Sequence, residues 1–262
     1  MNEVKFSIIT PSFNQAGYIE HTIESVLSQE VDFTVEHIVI DGGSTDGTLD
    51  ILGKYSGNLR YVSEPDHGMQ EALNKGFALA TGNIIGWLNS DDTYLPGALQ
   101  KVAACFDQHP DCLWLFGNCR MVDENGREVR RWITGYKRRM SRKYSFERLL
   151  TENFISQPAV FIRHTALKVA GPVDEQLPTA MDYDLWLRLA KLGSPVYIDD
   201  DLACFRVHGQ SISSMNYKAQ FDEQYQIHAR YDQNRWRLLK HYIKTRIIVF
   251  IYGMLATGKS LK

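Results

Sequence analysis

Ile84-Ile85-Gly86-Trp87-Leu88-Asn89-Ser90-Asp91-Asp92 is a short apolar run that stops abruptly in carboxylates. Ile84 to Leu88 has the length and composition of a buried strand. Asn89, Ser90, Asp91 and Asp92 then stand at its C-terminal end, the edge at which open α/β sheets bind ligands. Two adjacent Asp residues beyond a buried strand repel each other unless a cation or hydrogen-bond donors compensate. Mg²⁺ and Mn²⁺ take oxygen ligands and commonly share one or two carboxylates with a substrate diphosphate. The same four residues also suit a turn followed by a helix cap. The flanking chain has to separate the two readings.

On the N-terminal side, apolar strands alternate with amphipathic helices. Phe6–Thr10, Glu36–Ile40 and Leu59–Ser63 read as buried strands, and Tyr18–Gln29, Thr48–Tyr55 and Met69–Ala80 as helices. Short links between them predict a parallel, doubly wound sheet. Asp41, Asp66 and Asp91 each stand just past a strand, and right-handed crossovers would align them along one sheet edge.

On the C-terminal side, Pro96 opens a helix to His109, and Leu113–Asn118 reads as a strand. Glu124-Asn125-Gly126 is a hairpin-turn signal with Arg127–Ile133 as its second arm. Tyr136–Lys143 reads as an exposed basic loop. Phe146–Glu152 and Asp182–Leu192 are expected helices, and Ala159–Ile162, Val196–Ile198 and Leu202–Val207 expected strands. From Tyr217 onward the chain reads as helical.

The chain has 262 residues, ordinary apolar content and a net charge of −2. A sizeable core is available, and nothing in the overall charge argues for nucleic acid. Basic residues crowd into Arg127–Lys143 and into the stretch after Asp232, which holds no acid. Cys105, Cys112, Cys119 and Cys204 have no metal-like spacing and are expected to be reduced thiols. Met1-Asn2-Glu3-Val4-Lys5 lacks a signal-peptide layout, and the longest apolar run, Ile247–Ala256, is too short to span a bilayer.

Seven motifs in order give a resemblance. They are Thr10-Pro11-Ser12-Phe13-Asn14, Val39 to Thr48 around Asp41-Gly42-Gly43, and Ser63-Glu64-Pro65-Asp66, then Asn74-Lys75-Gly76, Asn89-Ser90-Asp91-Asp92, Asp182 to Arg188, and Arg206-Val207-His208. With them the chain resembles a family 2 glycosyltransferase of the GT-A fold, an inverting type found in surface polysaccharide biosynthesis. That resemblance implies a three-layer α/β/α sandwich with a mainly parallel central sheet and a C-terminal helical appendage. The expected division is a domain over residues 1–215 and a basic, apolar helical segment over 216–262. Within the domain, 1–117 would bind the nucleotide sugar and 118–215 the acceptor.

The resemblance also implies roles. Asp41 would accept a hydrogen bond from the nucleobase, with Pro11, Ser12 and Asn14 lining the same pocket and Asp66 closing it. Lys75, Asn89 and Ser90 would complete the donor site. Asp91 would hold the Mn²⁺ or Mg²⁺, with His208 as a second metal or diphosphate contact. Asp182 would be the general base. Turn and capping chemistry around Gly42-Gly43 is the plainer account of Asp46 and fits Asp41 less well; an N-cap is the plainer account of Asp182, and His208 could equally be structural. The family's Asp-x-Asp begins here with Asn89, which keeps an acceptor but loses charge. Its Glu before the base is here Met181.

Gly253 to Ser260 matches the phosphate-loop pattern literally but lacks the strand before it and the helix after it, so it is read as chance. Arg235–Lys262 mixes Trp, Leu, Ile and Tyr with Arg and Lys. It suits an interfacial helix on an anionic membrane, or a helix packed on protein. The expected protein is therefore cytoplasmic, or peripheral on the inner face of the cytoplasmic membrane. Its donor would be a UDP-sugar, with GDP- or TDP-sugar as the variant, and its acceptor a glycan or lipid-linked oligosaccharide. A non-catalytic nucleotide-binding scaffold is the alternative.

Overall fold

A computed structural model describes residues 4–209 and 217–256. The boundary expected at 215–216 and the end of the phosphate-loop-like match lie outside the described residues.

The first half alternates as its periodicity predicts. Strands β1 (Lys5–Ser12), β2 (Thr34–Asp41), β3 (Arg60–Ser63) and β4 (Ile84–Trp87) alternate with helices α1 (Ile19–Leu27), α2 (Thr48–Lys54) and α3 (Met69–Leu79). All four strands pair in parallel, in the order β3-β2-β1-β4. Strand β1 is buried at every position after the first, the pattern of a central parallel strand covered on both faces. The chain runs outward from β1 to β2 and β3, then returns to place β4 on the other side of β1. Ligand crevices form where strand order reverses in this way.

Past β4 come β5 (Thr93–Tyr94), α4 (Ala98–Gln108), β6 (Trp114–Val122), α5 (Arg131–Ser141) and α6 (Phe146–Thr151). Then follow β7 (Val160–Arg163), α7 (His164–Ala170), α8 (Met181–Leu192), β8 (Val196–Arg206), α9 (Tyr217–Tyr231) and α10 (Arg235–Ala256). Strand β7 inserts antiparallel between β4 and β6, β8 runs parallel to β6, and β5 closes the edge antiparallel to β8. The sheet is mixed but mostly parallel.

Period-2 alternation divides the core in two. Ile9, Ile85, Trp87, Trp114, Phe116, Val160 and Ile162 face α3, α6 and α8. Phe6, Ile8, Ile84, Leu115 and Phe161 face α4, with Val26 of α1. The result is the expected α/β/α sandwich. Helix α3 sits low on the sheet: a Cβ at Gly76 would collide with Ile9 Cγ2.

Three expectations fail. Arg127–Ile133 is not a hairpin arm, for only one bridge forms, Val122 to Glu128. The turn itself exists, closed by Asp123 N–H to Arg127 O, but Arg130 at φ 52° then redirects the chain. Tyr136–Lys143 is not a loop, because α5 occupies most of it. That helix buries only Ile133 and Ser141 and packs Met140 on the core, so its inward stripe is too thin to show as periodicity. The two late strands expected at 196–207 are one strand, β8, kept continuous by register shifts opposite Phe116–Cys119. Strand β5 and helix α7 were not expected. Among the described residues no helix is long and apolar enough to cross a membrane.

Candidate active site

A cleft of about 530 Å³ opens beyond the carboxyl ends of β1 and β4. Eight of the residues expected at a site line it: Pro11, Ser12, Asp66, Asn89, Ser90, Asp91, Asp182 and His208. Asn14, Asp41 and Lys75 do not.

Asp41 shows why. It is the last residue of β2 and fully buried. Its Oδ2 accepts from Gly43 N–H at 3.1 Å, Ser44 N–H at 2.9 Å and Ser63 Oγ at 2.7 Å, and its Oδ1 from Ser44 Oγ. The carboxylate therefore organises the 42–44 turn. Asn14, at φ 52°, joins that turn from β1: its N–H meets Ser44 Oγ and its Oδ1 accepts from Thr45 N–H. Lys75 lies between Glu64 and Glu71 at 2.9 and 2.8 Å. Hydrogen bonds from Lys75 and His67 hold the Glu71 carboxyl down at about 2.

Past β3, Asp66 accepts Gly68 N–H at 2.9 Å and faces Gly42, where an added Cβ would stand 2.8 Å from Asp66 Oδ2. Only a glycine lets the two loops approach this closely.

Past β4, the side chains divide their work. Asn89 accepts Trp87 Nε1–H at 2.8 Å and donates to Gln157 Oε1 at 3.1 Å. Asp92 turns away from the cleft and is fully buried. Its Oδ1 accepts Arg206 N–H at 2.9 Å, and burial, with the Asp91 charge adding, pushes its carboxyl well above the usual range. Asp91 faces the cleft, with His208 Nε2 2.9 Å from its Oδ2. Two residues on, β5 pairs with Ala203 and Cys204 of β8. That pairing and the Arg206 Nε contact to Asp91 O at 3.0 Å carry His208 to Asp91. The imidazole leans on Tyr18, with ring centroids 4.6 Å apart.

Asp182 stands in the first turn of α8. It accepts from Tyr183 N–H at 2.7 Å and Asn153 Nδ2 at 3.3 Å. Burial raises its carboxyl above the ordinary value, and these bonds and the Lys137 charge only partly oppose that. A half-buried carboxylate at the cleft wall, raised in this way, suits a proton acceptor.

Asp91 and His208 are the two metal-type donors that lie side by side in the cleft. Among the described residues no group of three His, Cys, Asp or Glu could hold a metal alone. An adjacent carboxylate and imidazole do fit a cation that takes its remaining ligands from a diphosphate.

The sequence reading missed much of the lining: Phe13, Gln15, Met69, Ala72, Pro178, Thr179, Phe205 and Gln220. Trp87, expected only as part of a strand, and Gln157 line the cleft too. Gln157 stands just before β7 and Gln220 on α9, and neither position carries a local signal in the sequence.

A family model described as "Glycosyl transferase family 2" matches residues 7–169. A Bacillus subtilis (strain 168) glycosyltransferase named for teichuronic acid biosynthesis is 31% identical over 220 residues, 81% of this chain and 83% of the relative. By contrast, the chain spans only 21–33% of the length of the first curated relatives it matches. Among solved structures, S. aureus TarS 1–349 in complex with UDP-GlcNAc superposes with a TM-score of 0.67 at 23% identity, over 86% of this chain and 65% of that one. A mannosyltransferase from Pyrobaculum calidifontis in complex with GDP-Man and Mn²⁺ gives 0.65 at 17% identity, over 96% and 80%. At these identities the structural likeness shows the fold alone.

Proposed function

The chain belongs to glycosyl transferase family 2, and from that we propose that it moves a sugar, with inversion, from a nucleoside-diphosphate sugar to an acceptor hydroxyl. The observation that carries the proposal is convergence. Asp66, Asp91, His208 and Asp182 come from four distant stretches and line one cleft at the sheet's ligand-binding edge.

The Pro11–Ser12 and Asp66 side is the nucleotide side. UDP is the preferred nucleotide, with UDP-GlcNAc bound in the TarS complex, and GDP the variant, with GDP-Man bound in the mannosyltransferase complex. Asp91 and His208 would hold a Mn²⁺ or Mg²⁺ ion, which would offset charge developing on the leaving diphosphate. Asp182 takes the proton from the acceptor hydroxyl as that oxygen attacks the anomeric carbon from the face opposite the diphosphate. Asn153 and Tyr183 N–H aim the carboxylate, and no nucleophilic side chain is needed. The relative named for teichuronic acid biosynthesis supports a cell-surface glycan as the product.

The test is thermal stabilisation by UDP, GDP, TDP and CDP, each with Mn²⁺ or with EDTA. A ligand that binds only the folded state raises the melting temperature. The expected result is a metal-dependent rise with one nucleotide, abolished in Asp91→Ala. No rise with any nucleotide would overturn the proposal. Binding without sugar transfer would instead favour a nucleotide-binding scaffold.

A further inference from the structure

Helix α10 has one buried face and one exposed apolar face. His241 and Thr245 are buried against the body, and His241 Nδ1 lies 3.2 Å from Leu150 O of α6. Directly opposite, Trp236, Leu239, Ile243 and Ile247 follow one another at helical spacing and face solvent. Trp236 is 75% exposed, Ile243 50% and Ile247 55%. At 3.6 residues per turn, exposed Arg235 and Arg246 flank that stripe on one side and exposed Lys240 and Lys244 on the other.

A second exposed aromatic and basic face adjoins it. Helix α5 presents Trp132, 53% exposed, and Tyr136 one turn later, with exposed Arg131 and Arg139 beside them. Tyr136 Oη donates to Glu152 Oε2 at 2.8 Å, and Lys244 Nζ of α10 reaches the same oxygen at 3.4 Å. Glu152 is buried, so it fastens the two helices together.

We infer that α5 and α10 form one docking face for an anionic bilayer. Apolar side chains at the centre with cations along both margins fit the boundary between acyl chains and acidic headgroups. Trp and Tyr favour that boundary because their rings are apolar and their N–H and O–H groups stay wet. Self-association would bring the margins of like charge together, whereas an acidic headgroup layer complements them.

The inference rests on the transferase reading for its consequence. Glu152 precedes Asn153, whose amide donates to Asp182, and Tyr183 Oη donates to Leu150 O at 2.8 Å. The stretch that anchors the docking face therefore also holds the base. An acceptor hydroxyl carried on a membrane lipid would reach Asp182 from that side.

The test is sedimentation of the full chain with vesicles of phosphatidylglycerol and phosphatidylcholine, against vesicles of phosphatidylcholine alone. Wild type is expected to bind the anionic vesicles and to be released by salt. Ile243→Glu and Trp132→Glu, which change exposed positions, are each expected to weaken binding by about tenfold or more. Both should keep the wild-type melting temperature and its rise with nucleotide, which separates docking from the donor site. No binding of wild type to anionic vesicles overturns the inference, as does full binding by Ile243→Glu. Full binding by Trp132→Glu alone overturns the share of α5. A wild-type dimer in light scattering that Ile243→Glu dissociates would assign the face to a second copy instead.

Discussion

Asp41→Ala separates a carboxylate that organises a loop from one that meets the nucleobase. The buried side chain accepts from two backbone N–H groups and two hydroxyls. Bonds to a charged acceptor contribute about 1.5–3 kcal/mol each, so their gross sum is roughly 6–12 kcal/mol. Burying the carboxylate offsets several kcal/mol of that. The freed Gly43 and Ser44 donors can also regain water by opening the turn. A net loss of about 3 kcal/mol is expected, in line with the removal of one partner from a buried charged cluster. At about 2–4 °C per kcal/mol for a chain of this size, the melting temperature should fall by roughly 6–12 °C without any nucleotide. Asp41→Asn should do no better, since its NH₂ group would face donors. The assay is thermal and urea unfolding of the unliganded variants, followed by nucleotide titration. An unchanged melting temperature with nucleotide binding lost would refute the reasoning, for it would mean that Asp41 reaches the ligand and the turn stands without it.

Two further predictions concern protons. Asp182→Asn should lower kcat by about 10²–10⁴ while leaving the nucleotide-induced thermal rise intact; a loss of only a few-fold would remove Asp182 from the base role. The base must be ionised to act, and burial raises its pKa above that of an ordinary carboxylate. Activity should therefore fall, as pH is lowered, at a higher pH than an ordinary carboxylate would give. A kcat/KM profile whose acid limb sits at the ordinary value would contradict this. His228 and His241 are buried edge to face between α9 and α10, with centroids 4.8 Å apart. Burial, with the neighbouring His228 and Lys244 adding, brings His241 down to about 4. Burial also lowers His228 despite Asp232. The unfolded chain then takes up protons first, so their contribution to stability is complete above about pH 6.5 and lost as pH falls toward 4. Melting temperature against pH should be flatter in a His228→Leu, His241→Phe double variant. His37, also held at about 4 by burial, contributes equally in both proteins. Identical slopes would show that the pair is not the sensor.

The first half was legible because β1, β4 and most of β2 are buried on both faces and its helices carry broad apolar stripes; β3, expected as a buried strand, is instead the exposed edge of the sheet. Strands β1 to β4 and helices α1 to α4 follow directly from those patterns. Carboxylates just past strand ends were equally plain, and Asp66 and Asp91 do meet in the cleft. What could not be read was where each carboxylate turns. Asp41 and Asp66 look alike in sequence, yet Gly43, Ser44 and Ser63 surround the first with donors and leave the second facing the cleft. Helix α5 hid behind its own basic residues, because so little of it is buried. Strand β5, two residues long, is shorter than any period can register.

That two-residue strand has a consequence for the order in which the protein assembles. Asp91 and His208 are 117 residues apart in the chain and meet once Thr93 and Tyr94 pair with β8 and Arg206 reaches the Asp91 backbone. The entropy of closing so long a loop is recovered only after the intervening β6 and β7 have found their places in the sheet. A folding chain with β8 still undocked would already possess Pro11, Ser12 and Asp66 but not the imidazole beside Asp91. The Asp91–His208 pair is therefore complete only once β8 is in place, and that contact reports on the docking of this strand.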